Sequence, residues 1–379
     1  MPSISIWEKE SFFEQQDIII TGSGFVGLWS ALKLKELNPL AKITILERGL
    51  IPSGASTRNA GFSCFGSPSE LLQDVAKMGE QKTFELVNLR YQGLMQIRQY
   101  FSQDTIQYDA AGGYECFTPA STDWQQCEEG LQWLNNRLQS ITGLTDTFTI
   151  ADDKLGQFGF NGFNHLIENK LEGGLHSGKT VQALLQKIQG MGVQVLTGIT
   201  VTSFEKQNGL ITLHTDKQLS FCCRQLLLCT NAFTRQLLPQ TDIIPARGQV
   251  LVTGPIDGCK LKGTFHFDQG YYYFRNLGNR LLLGGARNKA FEAEETTVME
   301  TSQPVQDELE RFARTHILPG IAFTITHRWS GIMAMGSEKL PIVKMIEPGI
   351  FCCVRMSGMG VALAPVVAGQ VASLMQQAQ

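Results

Sequence analysis

The sequence predicts an α/β fold in two units, one wound on a parallel sheet and interrupted along the chain, the other α+β on an antiparallel sheet. Three observations carry that prediction. Residues 18–20 are a short apolar run of strand type, and after a glycine-rich turn a helical pattern runs from about residue 25 to 38. A second apolar run, 42–46, then ends at Glu47. Residues 243–290 change to alternating strands between turns, in IIPARGQVLVTG, FHFDQGYYYFR and NRLLLGGAR. At 379 residues the chain is long enough for two domains, and 43% hydrophobic residues supply a core for each.

The first turn holds Gly22, Gly24 and Gly27 in G-x-G-x-x-G spacing. In such a loop one glycine makes the tight turn, one lets backbone approach a pyrophosphate, and one lets helix and strand lie close. Free N–H groups and the dipole at the helix start favour negative charge. Glu47, about 20 positions on, suits a ribose hydroxyl. In a chain with 38 glycines the triplet alone is weak, but strand, loop, helix, strand and acid in that order make a dinucleotide site. Residues 48–67, RGLIPSGASTRNAGFSCFGS, form a second loop of small residues able to lie against a flat ligand, with Arg58 and Asn59 as donors.

Further along, helices are expected at 68–101, opened by Ser67-Pro68, near 121–140 and at 179–189. Strands are expected around Gly112-Gly113 and at 194–197, 200–204 and 209–214. A buried strand, 224–229, leads into Thr230-Asn231. An amphipathic helix is expected at 304–315 and a strand at 322–333. The chain closes on a strand, the turn SGMG and a helix over VALAPVVAGQVASLM, whose start is a second place for negative charge. The break after two strands differs from the continuous βαβα run of a nicotinamide-type domain. The expected nucleotide-binding domain is 1–82, 165–240 and 331–379, and the substrate-binding domain 83–164 and 241–330.

A net charge of −3 offers no basic footprint for nucleic acid. The nine cysteines include no C-x-x-C, and the pairs Cys222–Cys223 and Cys352–Cys353 sit in apolar runs. They read as buried reduced thiols of a cytoplasmic protein, with neither disulfide nor metal site expected. No basic-then-apolar leader is seen. The apolar stretch 356–370 is short, glycine-rich and holds Pro365, so a buried helix is expected there and no membrane span.

Five stretches, spread from residue 17 to about 376, carry a resemblance: DIIITGSGFVG with ILERG, GASTRNAGF, EGGLHSGKTV, LLLCTNAFT with IPARGQV, and VRMSGMGVALAPVVAG. Through them the chain resembles the FAD-dependent oxidoreductases of the D-amino-acid oxidase, glycine oxidase and sarcosine oxidase superfamily. Within it, the gamma-glutamylputrescine oxidase-like subgroup is most similar. The resemblance implies a glutathione-reductase-like FAD-binding Rossmann domain. Gly22, Ser23, Gly24, Phe25, Val26 and Gly27 would hold the diphosphate, Glu47 the adenosine ribose, with Arg48 near the adenine. Ser56, Thr57, Arg58, Asn59, Ala60 and Gly61 would lie along the diphosphate and isoalloxazine. Val201 would approach the adenine by backbone, Thr230 and Asn231 would flank the cofactor, and Gly331 would border it. Ser357, Gly358, Met359, Gly360 and Val361 would meet the pyrimidine end, where helix N–H groups stabilise charge at N1/O2 of reduced flavin.

Two departures narrow the expectation. Glycine oxidase-like members carry an Arg after the W-x-G stretch that grips the substrate carboxylate, and Trp329-Ser330-Gly331-Ile332-Met333 has none. Sarcosine oxidase-like members attach FAD to a Cys in this neighbourhood, and residues 332–335 have none, so FAD should be non-covalent. Alternation puts Tyr271, Tyr273 and Arg275 on one strand face, where Tyr273 would line a substrate cavity and Arg275 would clamp an anion. Sheet packing is the alternative role. His176, after a double glycine, is a further site candidate, and Arg247 a second cation.

The implied reaction is oxidation of the C–N bond of an amino acid or related amine by hydride transfer to flavin N5. Oxygen or another acceptor would take the electrons on. A neutral amine held in line needs no general base. A 2-hydroxy acid or polyol dehydrogenase with His176 as base, and a non-catalytic flavin-binding or assembly protein, are the rival readings.

Overall fold

The computed structural model describes residues 4–378, so residues 1–3 and 379 of the expected nucleotide-binding domain lie outside it. The chain divides into two compact units. One comprises the chain up to Thr57, Gly178–Ala246 and the chain from Met333 onward; the other comprises Arg58–Ser177 and Arg247–Ile332.

In the first unit five parallel strands lie in the order Ile350–Val354, Ser220–Leu228, Gln16–Thr21, Ile43–Glu47, Gln194–Thr197. Ile342–Glu347 adds an antiparallel edge, and the hairpin Val201–Gln207 with Leu210–Thr215 pairs onto Ser220–Leu228. Ile19 and Ile20 of the central strand are fully buried. A strand covered on both faces reads as a continuous apolar run, which is why this one is visible in the sequence. The helix Phe25–Leu37 packs against Gly360–Gln377. From the central strand the chain passes to Ile43–Glu47 on one side, and only much later to Ser220–Leu228 on the other. Strand order therefore reverses at Gln16–Thr21, and the crevice at the carboxyl ends of the strands is where such sheets bind ligands.

The second unit is built on an eight-stranded sheet. Strand pairs from Ile244–Thr253 to Phe148–Ile150 are antiparallel, except that Thr264–Phe267 runs parallel to Gly113–Phe117. One face carries an aromatic core in which Phe265 and Phe274 stack at 4.9 Å and the helix Gln303–Phe312 buries Val305, Leu309 and Phe312. The other face carries Ala60, Val250, Val252 and Leu282, with Phe62, Tyr273 and Trp329 packed on them.

Two expectations shift. The single helix at 68–101 is two, Pro68–Met78 and Glu80–Tyr100, because Gly79 between them takes φ +84°. Residues 58–82 and 165–177, expected in the nucleotide-binding domain, pack in the second unit. The strand Phe62–Ser63 pairs there with Gly173–Gly174, and the buried Glu115 accepts from Ser67 Oγ and Ser69 N at the start of Pro68–Met78. Among the described residues no helix is long and apolar enough to cross a membrane.

Candidate active site

In the first unit the loop after Gln16–Thr21 is dictated by backbone sterics. Gly22 sits at φ +95°, and a Cβ on Gly27 would fall 2.0 Å from the Gly22 carbonyl oxygen. Gly24 is the N-cap of Phe25–Leu37 and offers no side chain to its free N–H groups. One of them, Phe25 N, donates to Ser56 Oγ at 2.8 Å. Glu47 closes the loop: Oε2 accepts from Ser23 N at 2.9 Å and Ser23 Oγ at 2.7 Å, and Oε1 accepts from Gly49 N at 2.8 Å. Ser23 thus shapes the loop through Glu47. A carboxylate has about four lone-pair sites, so Glu47 retains capacity for a hydroxyl donor. The Arg48 guanidinium lies 3.5 Å from the Phe233 ring centroid.

The same sheet edge carries strained backbone. Asn231, Arg355 and Ser357 take φ of 44°, 65° and 46°. Asn231 Oδ1 accepts from Arg355 N at 3.2 Å, and the Arg355 side chain is held by Asp242 and by Leu340 O. Non-glycine residues in this region cost about 1–3 kcal/mol each and cluster at ligand sites. The Ser357 hydroxyl is buried and finds no partner among the described residues. The helix Gly360–Gln377 that follows has no side-chain N-cap bond.

In the second unit, residues 58–61 are pinned from several sides. Arg58 NH1 donates to Ser330 O at 2.9 Å, and Trp329 Nε1 donates to Arg58 O at 3.0 Å. Gly331 is required there, since a Cβ would lie 2.9 Å from Arg58 Cβ. Asn59 Oδ1 accepts from Gly61 N and Ser177 Oγ. Arg275 reaches the same turn, donating from NH1 to Gly61 O at 2.6 Å and Leu175 O at 3.1 Å. Its guanidinium is buried and engaged with carbonyls, so the expected anion clamp is instead a brace for the loop. Gly174 makes room for it, because a Cβ there would fall 2.2 Å from Arg275 Cζ. Arg247, the second cation candidate, is held in a two-pronged pair by Glu294 at 2.7 and 2.8 Å.

Tyr273 shares the face of Arg275, edge-on to Phe62 at 6.0 Å. Burial pushes its phenol up to about 12, with Arg287 pulling the other way. His176 is exposed, its backbone N–H bound to Ile106 O. Arg287 is a charged neighbour of Tyr273 that the sequence pattern does not single out. It follows the strand Arg280–Gly285, lies 4.7 Å from the Phe291 ring centroid, and Phe291 is edge-on to Tyr271 at 5.6 Å. Gly284 makes room for the Tyr273 ring, since any Cβ there would fall 2.3 Å from it.

A family model for FAD-dependent oxidoreductases, DAO, matches residues 17–374. The chain belongs to the DAO family. It is 24% identical over 383 aligned positions to the probable oxidoreductase OrdL of Haemophilus influenzae, spanning 92% of this chain and 80% of that protein. It is 25% identical to L-2-hydroxyglutarate dehydrogenase of Indibacter alkaliphilus, over 61% of this chain and 56% of that one. The crystal structure of L-proline dehydrogenase from P. horikoshii has the same fold, with a TM-score of 0.76 at 16% identity, over 97% of this chain and 94% of that one.

As a DAO-family member the protein is an FAD-dependent oxidoreductase. The first unit fits the cofactor on its own evidence: the glycine cradle, the uncapped helix starts and the orphaned Ser357 hydroxyl. Gly22, Gly24, Gly27, Glu47, Thr230, Asn231 and Ser357 to Val361 come to one sheet edge, because the strands they follow are parallel. Val201 opens the hairpin strand Val201–Gln207.

Proposed function

We propose that this chain oxidises the C–N bond of an amino acid or related amine. The α C–H leaves as hydride, an N–H proton is released, and the imine product hydrolyses in water. FAD supplies the two-electron acceptor, and the chain's own residues bind and orient the substrate. The observation that supports this reading is Arg287. Its side chain has no ion-pair or hydrogen-bond partner among the described residues, whereas the Arg275 and Arg247 side chains are engaged by loop carbonyls and Glu294. An arginine fork matches a carboxylate in two parallel bonds. Tyr271, Tyr273 and Phe291 beside it supply an apolar wall for the rest of the substrate. The L-proline dehydrogenase fold points to the same substrate class.

A second reading takes its support from the L-2-hydroxyglutarate dehydrogenase relative. A 2-hydroxy acid presents the same carboxylate to Arg287, but removing its O–H proton asks for a base, for which the exposed His176 is the candidate.

The test is anaerobic bleaching of the flavin band near ~450 nm by amino acids of both hands, N-methyl amino acids, polyamines and hydroxy acids. Bleaching by a carboxylate-bearing amine is expected, and readmitted air then reports whether oxygen is the acceptor. Arg287→Met should raise KM by roughly 30-fold and leave kcat within about threefold, the loss of a charged hydrogen bond worth about 2 kcal/mol. Bleaching by hydroxy acids alone defeats the amine reading.

A further inference from the structure

Cys64, Glu172 and His266 meet in the interior of the second unit, their ligand atoms all within 4.8 Å of one another. No two of them are close in sequence. Cys64 follows the strand Phe62–Ser63, Glu172 precedes Gly173–Gly174, and His266 lies on Thr264–Phe267. Their exposures are 7%, 2% and 7%. His266 Nε2 stands 2.5 Å from Glu172 Oε1, and Thr264 Oγ1 donates to the same oxygen at 2.9 Å. Gly113 belongs to the arrangement, because a Cβ there would fall 2.4 Å from Glu172 Cδ and displace the carboxylate.

We propose that these three side chains bind a zinc ion. An imidazole nitrogen, a thiolate sulfur and a carboxylate oxygen are zinc's ordinary donors, with Zn–S near ~2.3 Å and Zn–N or Zn–O near ~2.0–2.2 Å. Ligands at those lengths on a tetrahedron stand roughly 3.3–3.8 Å apart, so shifts of about 1 Å gather the trio onto one ion. One thiolate and one carboxylate neutralise a dication, and a net-neutral cluster is what a dry interior tolerates. Thr264 orients Glu172 from behind, as partners of metal-bound carboxylates do. The ion would tie the segment behind residues 58–61 to the central strand of the sheet. The rival arrangement is a metal-free carboxylate–imidazole pair with a thiol for a neighbour.

The full-length holoenzyme is assayed by inductively coupled plasma mass spectrometry, as purified and after equilibrium dialysis against zinc chloride. Zinc K-edge absorption then gives the ligand shell. About one zinc per chain is expected, with one sulfur at ~2.3 Å and nitrogen and oxygen at ~2.0–2.2 Å. Cys64→Ser and His266→Gln should each lower zinc content at least tenfold at the same free zinc, while Cys127→Ser, at a buried cysteine elsewhere, keeps it. Where a variant fails to fold, the sulfur shell of the wild-type protein decides. Chain that retains no zinc after dialysis, or zinc with no sulfur neighbour, overturns the proposal.

Discussion

The loop after Gln16–Thr21 in the first unit and the face of Tyr272–Leu277 in the second are shaped by different physics. In the loop, backbone sterics set the shape, and glycine is demanded by overlap: a Cβ on Gly27 would fall 2.0 Å from the Gly22 carbonyl oxygen. On the tyrosine face, side chains set the shape, and each charge is defined by the partner it finds. Arg275 finds Gly61 and Leu175, positions 214 and 100 residues away, while the Arg287 side chain lies against Phe291 and is the one proposed to meet a carboxylate. A site made of backbone is written locally in the sequence, and a site made of charge is written in the tertiary structure.

Breaking the backbone-built loop should have the largest effect. Gly27→Ala forces the helix Phe25–Leu37 off its strand, a cost of about 3 kcal/mol or more, so cofactor affinity should fall roughly 100-fold. The purified variant should carry under about a tenth of the wild-type flavin, read from absorbance per chain. Gly369→Ala is the control, since a Cβ there, well inside the helix Gly360–Gln377, meets nothing within 4 Å, and flavin content should not change. Equal loss in both would show that overlap at Gly27 is not the cause, and would undo the steric account.

That contrast explains what was legible beforehand. The parallel unit was read because its strands are continuous apolar runs and its glycines recur at fixed spacing. The second unit's sheet was read from alternation, which put Tyr273 and Arg275 on one face, where they lie beside Phe62 and Gly61. The role of Arg275 was not legible, because a guanidinium binds a carbonyl as readily as a carboxylate. The assignment of 58–82 to the second unit was hidden too, since it depends on Gly173–Gly174 pairing with Phe62–Ser63 across more than a hundred positions.

Charge buried in the second unit offers the next test. Burial raises the Glu115 carboxyl from 4.5 to about 7, against hydrogen bonds from Ser69 and Ser67. The folded chain therefore keeps a proton that the unfolded chain releases between those values. This group's contribution to stability is full below pH 4.5 and is lost as pH rises to 7. The difference amounts to about 3 kcal/mol across the window. Glu115→Gln, neutral throughout, should gain on the wild type by that order between urea melts at pH 4.5 and pH 8. Parallel pH curves would show that Glu115 is already ionised in the folded protein.

Arg275→Met comes next. It leaves the Gly61 and Leu175 carbonyls without their shared donor, a loss of about 2 kcal/mol in stability. The lowered Tm should come with partial flavin loss and an unchanged KM in the remaining holoenzyme. A variant with normal Tm and a raised KM would reverse the roles of Arg275 and Arg287, and with them the contrast drawn above.

Tyr273→Phe should have the smallest effect, and it bears most directly on the chemistry. A phenol pushed up to about 12 by burial stays protonated across the working range, even with Arg287 pulling the other way. It therefore takes no proton from the substrate at neutral pH, and its ring contributes shape beside Phe62. Removing the hydroxyl keeps the ring and the wall, so kcat should stay within about fivefold, the worth of one neutral hydrogen bond near ~1 kcal/mol. The pH profile of kcat/KM should keep its shape, because no titrating group has been lost. Loss of the basic limb, or a fall beyond about 100-fold, would mark Tyr273 as the base. That outcome would move the site from a neutral amine held in line to a substrate whose proton must be removed, the demand a hydroxy acid makes.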